Sequence, residues 1–218
     1  MTAPPPLAFG AAGAKTFGSA NEAVRETFRL VSGLIDFDFK RNAPFYYRTA
    51  SADLNGLTVT AFSSSPGRIH VGPRPKPVLM MALNGTSRLQ VDGQSYRLEP
   101  KRDALFIPQG VNTHAQCDDR SVVMMSFDLA RLQKTAKKML GPLWDNRILS
   151  VFNDPREVSL QSGSFSHDQN FRGLFSLTDA YGENHAFRDL VGLDELYYRA
   201  AIMAMLPVQF PERGGVKA

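Results

Sequence analysis

The 218-residue sequence lacks the features that mark exported and membrane proteins. Cys117 is its only cysteine, so an intramolecular disulfide bond is impossible and a reducing compartment is expected. No apolar stretch reaches the ~18 residues that a transmembrane helix needs. Residues 1–15 contain neither the basic segment nor the continuous apolar segment of a secretory signal. Together these absences predict a cytoplasmic protein.

A strong excess of one charge sign is also lacking. The formal net charge is +4, from 25 basic and 21 acidic residues, which is too small and too evenly spread to indicate a nucleic-acid surface by itself. The sequence contains no nucleophile elbow, phosphate-binding glycine loop or paired-carboxylate motif. We therefore expect no enzyme of these classes and no bound cofactor.

Apolar residues make up 43% of the chain, enough for a packed core, and their spacing first predicts a helix at residues 20–35. Ser19 and Glu22 match a capping box, in which each side chain bonds an unpaired backbone amide of the first helical turn. The apolar positions of this helix are Val24, Phe28, Val31 and Ile35. Residues 1–18, rich in proline, alanine and glycine, are predicted to be a flexible tail.

Between residues 45 and 127 the apolar period changes from 3.6 to 2, which predicts β-strands. Three Xaa-Gly pairs supply the positive φ angles of type I′ hairpin turns, and each would join the strands on its two sides. The pairs are Asn55-Gly56, Asn84-Gly85 and Asp92-Gly93. The predicted strands are residues 45–53, 57–63, 68–71, 78–83, 86–91, 94–98, 104–107, 113–117 and 121–127. So many short antiparallel strands predict a sandwich or jelly-roll barrel.

Three further helices are predicted after this region. Asp128 is a favourable N-cap residue for the first, Ser166 for the second and Asn184 for the third. Residues 144–164 are predicted to be irregular. The second and third helices would form an αα-hairpin that packs on the barrel and can offer a face to a second subunit.

With its elements in this order, the chain resembles the N-terminal cupin-like sensing domain of AraC-family transcription regulators. The residues that carry the resemblance are LNGTS at 83–87, DGQSYRL at 92–98, DALFIP at 103–108 and VMMSFD at 123–128. The resemblance covers residues 20–206. It implies a mainly β fold, in which a cupin-like jelly-roll barrel is flanked by an N-terminal helix and a C-terminal αα-hairpin.

The resemblance also implies partners. In this family the barrel binds a small-molecule effector, the helices form a homodimer, and a C-terminal pair of helix-turn-helix units binds promoter DNA. Residues 207–218 are too few to hold such units, so they are interpreted as a linker to a DNA-binding domain that is absent here. The predicted parts are a tail (1–18), a helix with the barrel (19–128), a helical dimerisation region (129–206) and the linker (207–218).

The turn at residues 108–114, PQGVNTH, is close to the second cupin motif, in which a histidine completes a metal site. A catalytic metal needs three or four converging ligands, and catalytic cupins add a His-x-His pair and a carboxylate from an earlier strand. Here the earlier strand offers only His70. No metal is therefore predicted, and His114 is interpreted as lining a pocket. The alternative is a metal-dependent cupin enzyme acting on a small polar or aromatic substrate, with His70 and His114 as ligands.

The predicted effector site draws on several strands of the barrel. Arg48 would pair with a ligand carboxylate because its planar fork matches two oxygens, and Met80 and Met124 would supply an adaptable apolar wall. The predicted ligand-binding residues are Tyr46, Arg48, His70, Met80, Phe106, His114 and Met124. The predicted dimerisation residues on the αα-hairpin are Phe171, Leu174, Leu190 and Tyr197.

Overall fold

The structure, a computed structural model, describes residues 4–11, 13–40, 44–162, 165–181 and 191–206. The strands are β1 (Lys15–Phe17), β2 (Leu34–Phe39), β3 (Tyr47–Leu54), β4 (Leu57–Ser64), β5 (Gly67–Val71), β6 (Val78–Asn84), β7 (Ser87–Val91), β8 (Gln94–Leu98), β9 (Asp103–Ile107), β10 (Thr113–Cys117), β11 (Arg120–Ser126), β12 (Arg156–Ser159), β13 (Gln161–Ser162) and β14 (Phe165–Ser166). The α-helices are α1 (Ala20–Leu30), α2 (Leu129–Leu140), α3 (His167–Tyr181) and α4 (Leu193–Met205). Short 3₁₀ helices span Gly141–Leu143 and Asn146–Phe152.

The strands form two antiparallel sheets that face each other. The large sheet has seven strands in the order β1-β3-β4-β11-β6-β9-β12, and the small sheet has five in the order β2-β5-β10-β7-β8. A separate two-stranded ladder joins β13 and β14. The prediction of a mainly β, cupin-like jelly roll flanked by an N-terminal helix and an αα-hairpin is confirmed.

The large sheet is buried on both faces. On β11, Val122 and Met124 face the small sheet, whereas Val123 and Met125 face the layer of α2, α3 and α4. The same alternation on β4, β6 and β9 divides the apolar residues into a core inside the barrel and a core under the helices. Strands buried on both faces have nearly continuous apolar sequences, as β6 and β11 do here.

The small sheet has one face inside the barrel and one outside. On β7, Leu89 and Val91 are buried while Arg88 and Gln90 are exposed, and β10 alternates in the same way. This is the pattern of an antiparallel sheet with one solvated face. The polar residues at the alternate, solvated positions of these strands, such as Arg68, Arg88 and His114, therefore lie outside the barrel.

The described part of the predicted tail is packed against the rest of the chain. The Ser63 and Ser121 hydroxyls each donate a hydrogen bond of 2.6 Å to the backbone carbonyl of Pro5 and of Pro6, respectively. Phe9 is buried beside Phe175, and β1 pairs with β3. The prediction of flexibility is wrong for these residues, because prolines that cannot donate to a ladder still offer carbonyls to the sheet.

The first helix ends five residues earlier than predicted, since α1 stops at Leu30 and not at residue 35. Gly33 adopts a φ of 81°, which turns the chain back along the barrel. The residues after it form β2, a strand that the sequence interpretation missed. Val31 and Ile35 are spaced as on a helix, but Ile35 lies in an extended strand with its side chain exposed.

Two of the three predicted hairpins form. Both residues of Asn55-Gly56 and of Asp92-Gly93 have positive φ, as type I′ turns require, and they join β3 to β4 and β7 to β8. The third is wrong, because β6 belongs to the large sheet and β7 to the small one. Gly85, the residue with positive φ in that pair, lies where the chain crosses between sheets.

Two helices of the C-terminal part, α2 and α3, have the caps that the sequence predicts. The Asp128 carboxylate accepts from the Arg131 amide at 2.8 Å, and the Ser166 hydroxyl accepts from the Gln169 amide at 3.3 Å. The helices α3 and α4 pack together, and the hydroxyls of Thr178 and Tyr197 share a buried hydrogen bond of 2.7 Å. The predicted cap Asn184 lies outside the described residues. None of the helices described has the length and apolar character needed to cross a membrane.

Candidate ligand-binding site

A largely apolar cavity lies between the two sheets. Helix α1 covers the seam between β2 and β3, and the space inside the cavity that is open to a water-sized molecule is about 40 Å³. Most of the wall is apolar, with Phe37, Phe62, Met80, Leu89, Val122 and Met124 among its residues. A concave apolar site with few polar groups is the usual form of a small-molecule site.

Arg120 supplies one of the charges in this cavity. It begins β11, directly opposite Ser64 on β4, so the strand register points its side chain into the barrel. Its Nη1 donates to the Ser87 hydroxyl on the small sheet at 3.1 Å, while its buried Nε has no hydrogen-bond partner among the described residues. Arg120 is only 4% exposed, so this guanidinium is removed from water without a counter-ion in the described part of the chain.

Arg74 supplies the second charge. It lies on the connection between β5 and β6, where its backbone carbonyl accepts the Gly110 amide at 2.9 Å. The side chain is 8% exposed, and its Nε and Nη1 are both buried without a partner among the described residues. Burial lowers the pKa of this guanidinium to about 10, so it remains positively charged at neutral pH.

The two arginines enter the cavity from opposite ends. In the β5–β10 ladder, Gly67 pairs with Cys117 at one end and Val71 with Thr113 at the other. Arg120 follows the Cys117 end and Arg74 follows the Val71 end. At about 3.3 Å per residue, the two ends of β5 are about 13 Å apart. The cavity is thus charged at both ends and apolar between them.

Hydroxyl groups accompany the charge at each end. Thr113, at the Arg74 end, has a buried Oγ1 without a partner in the described chain. Tyr47, at the Arg120 end, shares a hydrogen bond with the Thr27 hydroxyl of α1. Burial raises the pKa of the Tyr47 phenol, which therefore stays protonated and able to donate.

The predicted residues Tyr46 and Arg48 do not reach the cavity. Tyr47 is the residue of β3 that faces the barrel interior, so its neighbours Tyr46 and Arg48 lie on the opposite face. The Tyr46 hydroxyl donates to Asp119 at 3.1 Å, and Arg48 is partly exposed. Successive side chains of a strand point to opposite faces, so a prediction that is wrong by one position selects the wrong face. On β3 the residue that faces the cavity is Tyr47, and the predicted Tyr46 and Arg48 face away from it.

The two predicted histidines lie outside the barrel. His70 and His114 are opposite each other on β5 and β10, with ring centroids stacked 3.9 Å apart on the solvated face of the small sheet. The interpretation of His114 as lining the cavity of the barrel is therefore wrong, and both histidines instead line an open groove on the outer face of the small sheet. Among the described residues, no three His, Cys, Asp or Glu side chains converge as metal ligands. The barrel interior instead presents two arginines, whose charge repels a cation, so its residues do not fit a metal.

The three remaining predicted residues lie on two different faces of the large sheet. Met80 and Met124 are paired in register between β6 and β11, and both line the cavity. Phe106 is on the other face of the large sheet, with its ring centroid 6.4 Å from that of Phe152 in the core under the helices. The alternation along β9 places Leu105 and Ile107 inside the barrel, which excludes Phe106 from the cavity wall.

Three of the four predicted dimerisation residues are buried within the chain. Phe171, Leu174 and Tyr197 belong to the core under the helices and are at most 6% exposed, whereas Leu190 lies outside the described residues. These positions are therefore wrong as surface contacts. Among the described residues, the exposed large apolar side chains on these helices are Leu177 and Leu196, with Phe165 just before α3 and Val191 just before α4.

Sequence reasoning missed the two cavity arginines. Arg120 is separated by Ser121 alone from the apolar run VVMM, and an arginine at the edge of so apolar a strand was the one local signal of a buried charge. Arg74 lies in the segment RPKP, where nothing local indicates burial. Its position inside the barrel depends on the path of a connection, which strand periodicity does not describe.

Comparisons with known proteins support the fold. No protein-family model and no curated protein matches the sequence. Among solved structures, the AraC-like transcriptional activator CuxR is similar over 88% of this chain and 69% of its own, at 9% identity and a TM-score of 0.63. KdgF from Halomonas sp. matches 42% of this chain and 93% of its own, at 14% identity and a TM-score of 0.34. The cupin domain of Schizosaccharomyces pombe Cnp3 matches 43% of this chain and 74% of its own, at 10% identity and a TM-score of 0.33.

The similarity to CuxR extends over the barrel and the helices together, since it includes most of the chain. At so low an identity it establishes a shared fold. The chain therefore shares the fold of this AraC-like activator, and the resemblance that its order of elements predicts is confirmed at the level of the fold.

Proposed function

We propose that the chain is the sensing and dimerisation domain of a cytoplasmic AraC-type transcription regulator, without enzymatic activity. The observation that carries this proposal is the apolar cavity with two buried arginines that lack counter-ions among the described residues. An unpaired buried charge costs stability, so a folded protein is expected to hold one where function needs it. A small-molecule effector in the cavity would use both charges.

The large sheet would transmit binding to the helices. Met124 contacts the cavity on one face of β11, while Met125, the next residue, packs under the helix layer on the other. An effector that favours one arrangement of this strand also favours one arrangement of α2 and α4, because packed cores shift between discrete states. In this proposal the helices then alter how helix-turn-helix units meet promoter DNA.

Blocking the cavity tests the sensing role. We expect Ala115→Phe to remove the rise in melting temperature that an effector causes, because Ala115 lies inside the barrel between Ile69 and Leu89 and a phenyl ring there fills the space. The measurement is a thermal-shift screen of small acids, sugars and aromatic compounds. Gln116→Phe, one residue further along β10 on the outer face, is the matched control and should leave the response unchanged. An undiminished response in Ala115→Phe, with the variant folded by circular dichroism, would place binding outside the barrel.

The exposed leucines of the αα-hairpin are the proposed dimer contacts. Leu177 on α3 and Leu196 on α4 are 37% and 39% exposed, and Val191 precedes α4 with 38% exposure. These apolar side chains belong to neighbouring elements whose other faces are already buried on the large sheet. A second copy of the chain would cover them and leave the cavity open to effector.

A double charge substitution tests this interface. We expect the wild-type chain to sediment as a dimer and Leu177→Glu/Leu196→Glu to sediment as a monomer, because two carboxylates would have to be buried in the apolar contact. Phe28→Glu is the control, since Phe28 is an exposed apolar residue of α1 on a different element. A dimer that persists in the double variant would assign the interface to another surface.

A further inference from the structure

The separation of the two cavity arginines restricts the kind of molecule that can bind. Arg74 and Arg120 enter from opposite ends of the barrel, and no carboxylate lines the cavity among the described residues. Each guanidinium therefore carries a buried charge that the described chain does not neutralise. A ligand with one anionic group would neutralise one of these arginines and leave the charge of the other unpaired.

The Arg74 end of the cavity has more buried hydrogen-bonding groups without a partner in the described chain than the Arg120 end. Nε and Nη1 of Arg74 and the Thr113 hydroxyl are all buried without hydrogen-bond partners in the described chain. Three unmet polar groups at one end are more than any neutral ring oxygen or single hydroxyl would satisfy. A carboxylate, with two oxygens and about four acceptor sites, suits this set.

The Arg120 end is partly satisfied. Nη1 of Arg120 bonds Ser87, which holds the guanidinium across the barrel, while Nε remains free. The Ser64 and Tyr47 side chains line the cavity beside it. This end therefore presents an oriented cation with neighbouring hydroxyls, which again suits a carboxylate.

The middle of the cavity excludes ligands that are polar throughout. Met80, Met124, Phe62 and Leu89 form the wall between the two ends and offer no hydrogen bonds. A sugar would bury hydroxyls against these side chains without partners, at a cost for each one. A cation would be repelled from both ends.

From this arrangement we infer that the cavity binds a small dicarboxylate, whose carboxylates pair with Arg74 and Arg120 and whose apolar spacer lies against Met80 and Met124. This inference rests on the proposed sensing function and specifies its ligand class. The methionines adapt their shape, so they accommodate spacers of different width.

The test compares diacids with matched monoacids on the wild-type chain. Succinate, adipate, suberate and terephthalate are titrated against butyrate, hexanoate, octanoate and benzoate by calorimetry and thermal shift at equal ionic strength. We expect at least one diacid to bind about tenfold to hundredfold more tightly than its monoacid, the difference that one charged hydrogen-bonded contact makes. The best diacid would report the spacing of the two guanidinium groups.

Three arginine variants identify the contacts. Arg74→Met and Arg120→Met should each bind a diacid no better than its monoacid, and each ligand-free variant should melt at a higher temperature than the wild type, because an unpaired buried charge is removed. Arg48→Met loses the same charge on the outer face of β3, and we expect it to retain the wild-type preference. An unaltered preference in Arg74→Met or Arg120→Met would overturn the assignment.

The outcomes separate this inference from the proposed function. Monoacids that bind as tightly as diacids, or a neutral ligand whose effect Ala115→Phe removes, would overturn the dicarboxylate and leave the sensing role intact. If no compound stabilises the wild type while both methionine variants are merely more stable, the arginines serve no ligand and both proposals fail.

Discussion

Replacing Gly85 by alanine is expected to destabilise the protein by about 3 kcal/mol or more, in contrast to the same change at other turn glycines. Gly85 has a φ of 68°, which alone costs an alanine about 1–2 kcal/mol. An added Cβ would also overlap the backbone carbonyl of Asp119 and lie 3.0 Å from the Cα atom of Arg120. Both obstacles are backbone, so relief requires a shift of the start of β11.

The control for this change is Gly93→Ala. Gly93 also has a positive φ, of 81°, and follows Asp92 as Gly85 follows Asn84. An added Cβ at Gly93, however, would have no other heavy atom within 4 Å. Only the backbone penalty of about 1–2 kcal/mol applies. Urea denaturation measures both losses. Equal losses would mean that the crossover between the sheets has room that the structure does not show.

Truncating Phe127 is the second change with a large expected effect. Phe127→Ala should lower the free energy of unfolding by about 3–5 kcal/mol, the usual cost of removing a buried phenyl ring. Phe127 is fully buried where β11 ends, and its amide donates to the Pro77 carbonyl at 3.0 Å. Its ring lies edge-on to Tyr198 of α4, with centroids 5.1 Å apart.

The loss should extend to the contact between barrel and helices. The Tyr198 hydroxyl accepts the amide of Asp128, the N-cap residue of α2, at 2.9 Å, so one tyrosine joins α4 to the start of α2 above the Phe127 ring. Trp144, the only tryptophan, packs against the same core and reports its loosening by fluorescence. Phe28→Ala, with 48% of that residue exposed, is the control and should cost less than about 1 kcal/mol. If Phe28→Ala lowers the free energy of unfolding as much as Phe127→Ala does, the contact between Phe127 and Tyr198 has no special role in stability.

Several elements could be predicted from the sequence because their signals are local. Helix α2 begins after Asp128 and ends at Leu140 before Gly141, and strands β8 and β10 have the predicted bounds. Cap residues, turn glycines and the change of apolar period act within a few residues of the structure that they specify. The order of those elements was sufficient to predict the AraC-like fold.

Local signals failed where two structures share one pattern. Residues 31 and 35 are apolar at a spacing that suits a helix, yet Ile35 belongs to β2, which pairs with β5 more than thirty residues further along the chain. The Asn84-Gly85 pair has the composition of a hairpin turn, yet the strands that it connects belong to different sheets. In both cases the partner of a segment, which is distant in sequence, decided its conformation.

The sequence by itself determined the class of fold and the positions of most strands and helices, whereas the pairing of an arginine with an anionic ligand stays a prediction. Only the tertiary structure decided which residues face the cavity. A strand that is apolar on both faces, such as β6, β9 or β11, carries no local mark of its inner face, because the second layer is built from residues far along the chain. For that reason the charge expected at Arg48 is supplied by Arg74 and Arg120, which a connection and a strand end bring into the barrel from its two ends.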